Sequence, residues 1–460
     1  MSTQFQVRNP YNDEEVGSYT YASAEEVADA LDKLKRGKKV LRGIPAFQRA
    51  EILHKLGELL ETHQDELAKL IVSEIGKTLK ESRTEVARAA VTARASGDEA
   101  KRMSGEVLDS DAYPPSRGRL GIVRRQPLGV VLAITPFNFP INLAMHKIGP
   151  AFASGNTVFF KPGPQNYFSG KRLVELCYEA GMPEETLQLC VPDIPELTKV
   201  IEGDDVQVIS FTGGVPTANA IARNARGKKL LFELGGNDPL IVMDDADLDK
   251  AVETAIAQRF GTAGQRCTAA KRLMVHKDVF EAFRDKLVEA TNKLVVGDPM
   301  SEDSYIGPVV SSHAADVVMA RIEQAVADGA KLLAGGKREG NVIWPTILEG
   351  ITMQCELCAD ETFGPVIPLL QFSTIDEVIE LVNMSEFGLQ SGVFTNQMDV
   401  VMRLYEELEV GSIAVNDGPG FRAEHFPFGG VKNSGLGREG IKYAIEEMTY
   451  YKSLVLPRFM

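Results

Sequence analysis

Between residues 127 and 236, short apolar runs alternate with helical stretches, and this alternation restricts the fold more than any other feature of the chain. The runs are Val130 to Thr135, Thr157 to Lys161, Leu187 to Val191, Val206 to Thr212 and Lys229 to Glu233. Helical patterns such as Ile141 to Ser154 and Ser169 to Ala180 lie between several of them. Short apolar strands joined by crossover helices pair in parallel and form a doubly wound sheet, covered on both faces. Such sheets bind ligands at the carboxyl ends of their strands. Here the strand ends carry distinctive turns: Thr135-Pro136-Phe137-Asn138, Lys161-Pro162-Gly163-Pro164, Phe211-Thr212-Gly213-Gly214 and Glu233-Leu234-Gly235-Gly236. Within 127–236 the G-x-G-x-x-G dinucleotide fingerprint is absent. A Gly-Gly turn entering a helix still brings backbone N–H groups and the helix dipole to a phosphate.

A second α/β series follows over 237–430. Its strands fall near Leu240, Lys271 to His276, Val366 to Phe372, Leu389 to Thr395 and Ser412 to Asn416; its helices are Val279 to Leu294, Ala314 to Asp328, Ile375 to Asn383 and Val400 to Leu408. At 460 residues the chain exceeds one ordinary core, so two α/β domains are expected. Residues 1–104 open with a short strand and turn (Phe5 to Asn12) and continue as helices. Ser23 to Glu26 reads as a cap ahead of Val27, Ala30, Leu31 and Leu34. Pro45 to His63, Gln64 to Gly76 and Thr78 to Met103 follow, the last carrying Arg88, Arg94, Lys101 and Arg102, for most of which a solvated face suffices. Residues 105–126 read as an exposed hairpin, and Tyr450 to Leu456 alternates similarly, able to pair with it within or between subunits.

A net charge of −14 argues against a nucleic-acid partner. Five cysteines, an odd number in a long chain, suggest reduced thiols in a cytoplasm. Cys355-x-x-Cys358 lacks a second pair to complete a zinc site, so no metal is expected. No signal peptide is visible, and no apolar run reaches the ~18 residues of a membrane span.

Chemistry concentrates between Phe232 and Arg272. Glu233 opens this stretch in a glycine-rich turn; Cys267 closes it, flanked by Gly264-Gln265-Arg266 and Thr268-Ala269. The helical pattern Leu248 to Phe260, capped by Asp244 to Asp247, folds the two ends toward one site. A lone cysteine is more often a small core residue. In a polar loop beside a cation, a thiolate is favoured. A glutamate before Gly-Gly is equally a surface turn residue, so spacing alone leaves both readings open.

The motifs TPFNFP (135–140), FKPGP (160–164), FTGG (211–214), FELGGNDP (232–239), GQRCTAAKR (264–272), ETFGPV (361–366) and FPFGGVKNSGLGREG (426–440) occur in one order. Over essentially its whole length the chain resembles NAD(P)-dependent aldehyde dehydrogenases. It is nearest the branch acting on small phosphorylated, phosphonated or hydroxy aldehydes. The resemblance implies an α/β fold of two doubly wound parallel-sheet domains, with a cofactor-binding domain (1–104 and 127–236) and a catalytic domain (237–430). An oligomerisation arm with the C-terminal segment (105–126 and 431–460) would assemble homodimers or homotetramers.

By the same resemblance, Cys267 attacks the aldehyde, Asn138 and the Cys267 N–H hold the oxyanion, and Glu233 activates water to hydrolyse the thioester. Lys161 would bind the adenosine ribose; Glu361 and Phe363 would hold the nicotinamide ribose and ring. Thr135, Pro136, Phe137, Gly163, Pro164, Gly213, Gly214, Leu234 and Gly235 complete the cofactor site. Arg88, Arg266 and, with a shift of register, Arg422 match arginines that grip an anionic tail, alongside Asn138, Phe139 and Thr268. Two departures stand out. FTGG lacks the serine often found after FTG and continues as Val215-Pro216. Pro164 replaces a glutamate of strict NAD users, so a 2′-phosphate is not repelled and NAD or NADP is expected. The alternatives are a hydroxyaldehyde (lactaldehyde-type) dehydrogenase, a CoA-acylating relative, which typically lacks the glutamate matched by Glu233, and a non-catalytic relative.

Overall fold

The computed structural model describes residues 4–109 and 113–457. The expected strands of the first series form one sheet, ordered Gly435–Leu436, Lys229–Glu233, Val208–Thr212, Val130–Ile134, Thr157–Lys161, Leu187–Leu189. All are parallel except Gly435–Leu436, which runs antiparallel with Gly435 opposite Glu233. Val130–Ile134 is buried along its whole length, as a strand covered on both faces must be. The winding reverses between it and Val208–Thr212, so the carboxyl ends of these two strands open a crevice.

The helices Ala46–Thr62, Gln64–Ile75, Leu79–Arg102 and Asn142–Ser154 pack on this sheet in one apolar core. Ser23 caps the helix Ala24–Gly43 through a capping box with Glu26. The segment expected with the arm over 431–460 also contributes, within its described residues, to the first sheet and its core. Besides the edge strand Gly435–Leu436, the segment contributes Ile441, Ile445 and Met448 to that core.

The second sheet is ordered Lys331–Ala334, Thr346–Glu349, Val366–Phe372, Arg272–His276, Pro239–Val242, Gln390–Phe394, Ser412–Val415, with only the first strand antiparallel. Lys331–Ala334 and Thr346–Glu349 lie outside the sequence expectation. Their sequences, Lys331-Leu332-Leu333-Ala334 and Thr346-Ile347-Leu348-Glu349, neither alternate nor hold an apolar run of four, so no strand signal stands out. The arm is a three-stranded antiparallel sheet within the chain: Thr449–Pro457 pairs with Arg119–Pro127, which pairs with Glu106–Asp109. Cys358 is buried in the second core and both Cys355 and Cys358 are free. Among the described residues no cluster could hold a metal ion, and no helix is long and apolar enough to cross a membrane.

Candidate active site

Asp247 caps the helix Leu248–Phe260 by accepting from Lys250 N at 3.3 Å. Beyond Phe260 the backbone turns left-handed at three consecutive residues, Thr262 (φ 54°), Ala263 (φ 52°) and Gly264 (φ 73°). For the two non-glycine residues this costs roughly 1–2 kcal/mol each, so neighbours must hold the turn. Glu81 Oε1 accepts from Thr262 N at 2.8 Å, and Gln265 Nε2 donates to Thr262 O at 3.2 Å. Only glycine fits at 264, where a Cβ would stand 2.1 Å from Gly364 O. Strain of this kind gathers at functional sites, and here it delivers Cys267. Lys271 Nζ then locks the loop, donating to Cys267 O (2.5 Å) and Arg266 O (2.9 Å) and pairing with Glu361 Oε1 (3.1 Å).

The loop does not leave Cys267 as a resting thiolate. Burial pushes its thiol up to about 11, and the pull of Lys271 does not overcome that. The expectation that a flanking cation favours the thiolate fails because desolvation of the charged form is the larger effect.

Glu233 ends its strand, 5 % exposed, with neither carboxylate oxygen hydrogen-bonded. Gly429 (φ 150°) passes so close that a Cβ would lie 2.9 Å from Glu233 Oε1. Burial, reinforced by the charge of Glu439, pushes the Glu233 carboxyl well above the usual range. Glu439 takes the opposite course. Against its burial, Lys147 (2.9 Å) and Arg422 (2.8 Å) hold its carboxyl down at about 2. One carboxyl is therefore poised to exchange a proton beside one fixed as an anion.

Asn138 is fixed from three sides. Its Nδ2 donates to Gln265 O at 2.8 Å, and its carbonyl accepts from Lys77 Nζ at 3.2 Å. Asn166 Nδ2 donates to the carbonyls of Pro136 and Phe137 at 3.0 Å. Glu85 holds Lys77 (2.7 Å) and accepts from Ile141 N and Asn142 N. A primary amide carries two N–H donors, so one remains for an oxyanion.

The crevice at the switch point measures ≈ 940 Å³ and is walled by the turns after the strands, including Thr135, Pro136, Lys161, Gly163, Pro164 and Gly214. The hydroxyls of Thr135 and Thr212 are buried beside it without partners. Burial draws the Lys161 ammonium down to about 8. Phe137 and Phe363 meet edge-on at 6.1 Å, and Glu361 Oε1 also accepts from Gly236 N at 3.1 Å. A Cβ on Gly235 would stand 2.3 Å from Glu361 Oε2, so this turn and Glu361 fit only with glycine there; Leu234 N is tied to Ser434 O at 2.9 Å. Unpaired hydroxyls, an unpaired cation and backbone-lined turns fit the sugars and phosphates of a dinucleotide.

The three arginines differ. Arg266 has no hydrogen bond or ion pair through its side chain among the described residues; its guanidinium lies 6.0 Å from the Phe139 ring. Among the described residues the Arg88 side chain pairs with Glu424, at 3.2 Å. Arg422 is committed to Glu439 and stacks 3.9 Å over Phe428, leaving its Nε unpartnered. Thr268 is buried beside Cys267.

The sequence reading missed Lys77, Glu85, Lys147, Gln265, Lys271 and Glu439. Lys147 had left a signal: it is a lone ammonium in Asn142–Ser154, a helix buried at every residue. A lysine is almost never fully buried without a partner.

Two wound sheets, a dinucleotide-sized crevice, a half-buried thiol and a buried carboxyl have the architecture of a dehydrogenase. The chain belongs to the aldehyde dehydrogenase family, whose model matches residues 1–454. It is 55 % identical over 456 residues to sulfoacetaldehyde dehydrogenase of Neptuniibacter caesariensis (99 % of this chain, 100 % of that one). It is 41 % identical to 3-sulfolactaldehyde dehydrogenase of Priestia aryabhattai (98 % and 95 %). The NADP complex of NADP-dependent glyceraldehyde-3-phosphate dehydrogenase from Bacillus halodurans superposes with a TM-score of 0.96 at 37 % identity (99 % and 96 %). This is an enzyme that oxidises small aldehydes.

Proposed function

We propose that the chain oxidises a short aldehyde bearing a sulfonate tail, sulfoacetaldehyde or a close analogue, to its carboxylate, with NAD or NADP as acceptor. The observation that carries this reading is Arg266, an unpaired guanidinium directly before the nucleophile. Glu81 is the carboxylate acting most strongly on it but makes no ion pair with it, so its N–H donors are left for an anion. The names of the two sulfonated-aldehyde relatives support it. The absence of a carboxylate at Pro164 supports use of NADP.

In the proposed chemistry the Cys267 thiol gives its proton to solvent water, and Sγ bonds to the aldehyde carbon as the C=O π pair moves onto oxygen. The free N–H of Asn138 and the Cys267 N–H stabilise the developing oxyanion. The nicotinamide, when bound, supplies the two-electron acceptor for the oxidation. An acyl group is then held on Sγ as a thioester. Ionised Glu233 takes a proton from water, the water oxygen bonds to the acyl carbon, and the C–S bond breaks to release the carboxylate and Sγ. Lys271 and Gln265 position the loop throughout.

Exposed Val107, Leu108, Leu454 and Val455 on the arm favour burial against a partner subunit in a homodimer or homotetramer. Five free cysteines suit a reducing cytoplasm.

Nicotinamide absorbance with sulfoacetaldehyde, 3-sulfolactaldehyde, phosphonoacetaldehyde, succinate semialdehyde, lactaldehyde and propionaldehyde, each with NAD and NADP, tests the reading. Sulfoacetaldehyde should exceed propionaldehyde in kcat/KM by about tenfold or more, ~1.4 kcal/mol. Equal values, or a preference for lactaldehyde, would sink the anionic-tail assignment.

A further inference from the structure

His146 lies on the helix Asn142–Ser154, directly before Lys147, and is 1 % exposed. Neither ring nitrogen has a hydrogen-bond partner. A buried imidazole ordinarily satisfies at least one nitrogen, so two idle nitrogens require an explanation. Its charged neighbours are Arg422, Glu439, Arg88 and Lys147, drawn from four different segments of the chain. Arg422 also acts on Cys267, and Arg88 acts on Arg266. The buried imidazole therefore shares one electrostatic neighbourhood with Arg422, Arg88 and the ion pair Lys147–Glu439.

Lys147 and Glu439 satisfy each other, and Arg422 spends its terminal nitrogen on Glu439. Arg422 Nε and both nitrogens of His146 remain unpartnered there, as do both oxygens of Glu233, on which the same Glu439, Arg422 and Lys147 act. A neutral imidazole carries one N–H donor whichever tautomer it adopts. Under the charge of two guanidiniums a neutral donor is tolerated where a third cation would be repelled.

We propose that His146 is a specificity-determining residue that donates its N–H to an oxygen of the substrate's anionic tail, alongside Arg422 Nε and Arg88. The proposal rests on the anionic-tail reading above and extends it. Donors offered from three segments would match a head group of three oxygens, a sulfonate or phosphonate, better than a two-oxygen carboxylate. The residue has no part in bond making; it selects the tail.

The test compares His146→Phe, which keeps the ring but removes the donor, with His146→Gln, which restores an N–H. For each, kcat and KM are measured with sulfoacetaldehyde, phosphonoacetaldehyde, succinate semialdehyde and propionaldehyde, after thermal denaturation confirms folding. In His146→Phe the ratio of sulfoacetaldehyde to propionaldehyde kcat/KM should fall about tenfold or more, through KM, with succinate semialdehyde losing less. His146→Gln should regain most of the loss. Equal losses on charged and uncharged aldehydes, or no rescue by Gln, would overturn the assignment in favour of a packing role. A larger loss for succinate semialdehyde would overturn the three-oxygen specificity.

Protection of Cys267 from iodoacetamide by ethanesulfonate gives a readout that needs no turnover. Wild type should be protected at concentrations about tenfold below those His146→Phe requires; equal protection, or none in wild type, overturns the proposal. A wild type that shows no preference for sulfoacetaldehyde defeats the anionic-tail reading before any variant is made. Ethanesulfonate protection then decides the role of His146 separately.

Discussion

Replacing Glu233 by Gln removes one charge and almost no volume from a position where both oxygens are idle and buried. If those oxygens exist to take a proton from water, a general-base contribution of about 10²–10⁴ is lost from the hydrolytic half-reaction, ~3–5 kcal/mol on that barrier. Acylation of Cys267 keeps its nucleophile and its Asn138 donor. Rapid mixing of Glu233→Gln with aldehyde and NAD or NADP should give a burst of about one equivalent of reduced cofactor per site, then near-silence. Intact mass should show the acyl adduct on Cys267.

Stability provides a second measurement. The folded-state pKa of Glu233 is raised above its ordinary 4.5. The wild type therefore holds its full stability below that pH and loses part of it as pH rises through the folded value. Gln has no such loss, so the Tm advantage of Glu233→Gln should widen with increasing pH. Unchanged steady-state turnover would refute the base assignment; a Tm difference constant with pH would refute the raised carboxyl.

Cys267→Ala should abolish dehydrogenase turnover while cofactor binding persists; a tenth of the wild-type rate would place the nucleophile elsewhere. Because burial pushes the Cys267 thiol up to about 11, its alkylation by iodoacetamide in the free enzyme should keep accelerating with pH beyond 9, and a plateau near neutrality would contradict this. Arg88→Ala should raise KM for the anionic aldehyde about tenfold more than for propionaldehyde, ~1.4 kcal/mol; equal effects would make Arg88 scaffolding. Light scattering at micromolar concentration should give a mass that is a multiple of 50.2 kDa, and Leu454→Asp with Val455→Asp should reduce it. A monomeric wild type would remove the arm's proposed role.

Much of the architecture was legible because local signals agreed with tertiary demands. The strands Thr157–Lys161 and Lys229–Glu233 and the helix Leu248–Phe260 lie where their patterns put them, and the Ser23–Glu26 cap forms as a capping box. The turns after the strands announced a ligand edge, whereas the roles expected of Glu233, Cys267 and Asn138 came from the resemblance of their motifs to a known family. Three things were decided only in three dimensions. The return of Gly435–Leu436 to the first sheet rests on two residues, too few to carry a period. The thiol's protonation follows from desolvation, which depends on everything packed around Cys267 and not on its sequence neighbour Arg266. The partners of Arg422 and Lys147 meet through Glu439, far along the chain, and only the folded sheet brings that carboxylate between them. Sequence determines which groups are available; long-range packing determines which charges are already spent and which, like Arg266, remain free for a substrate.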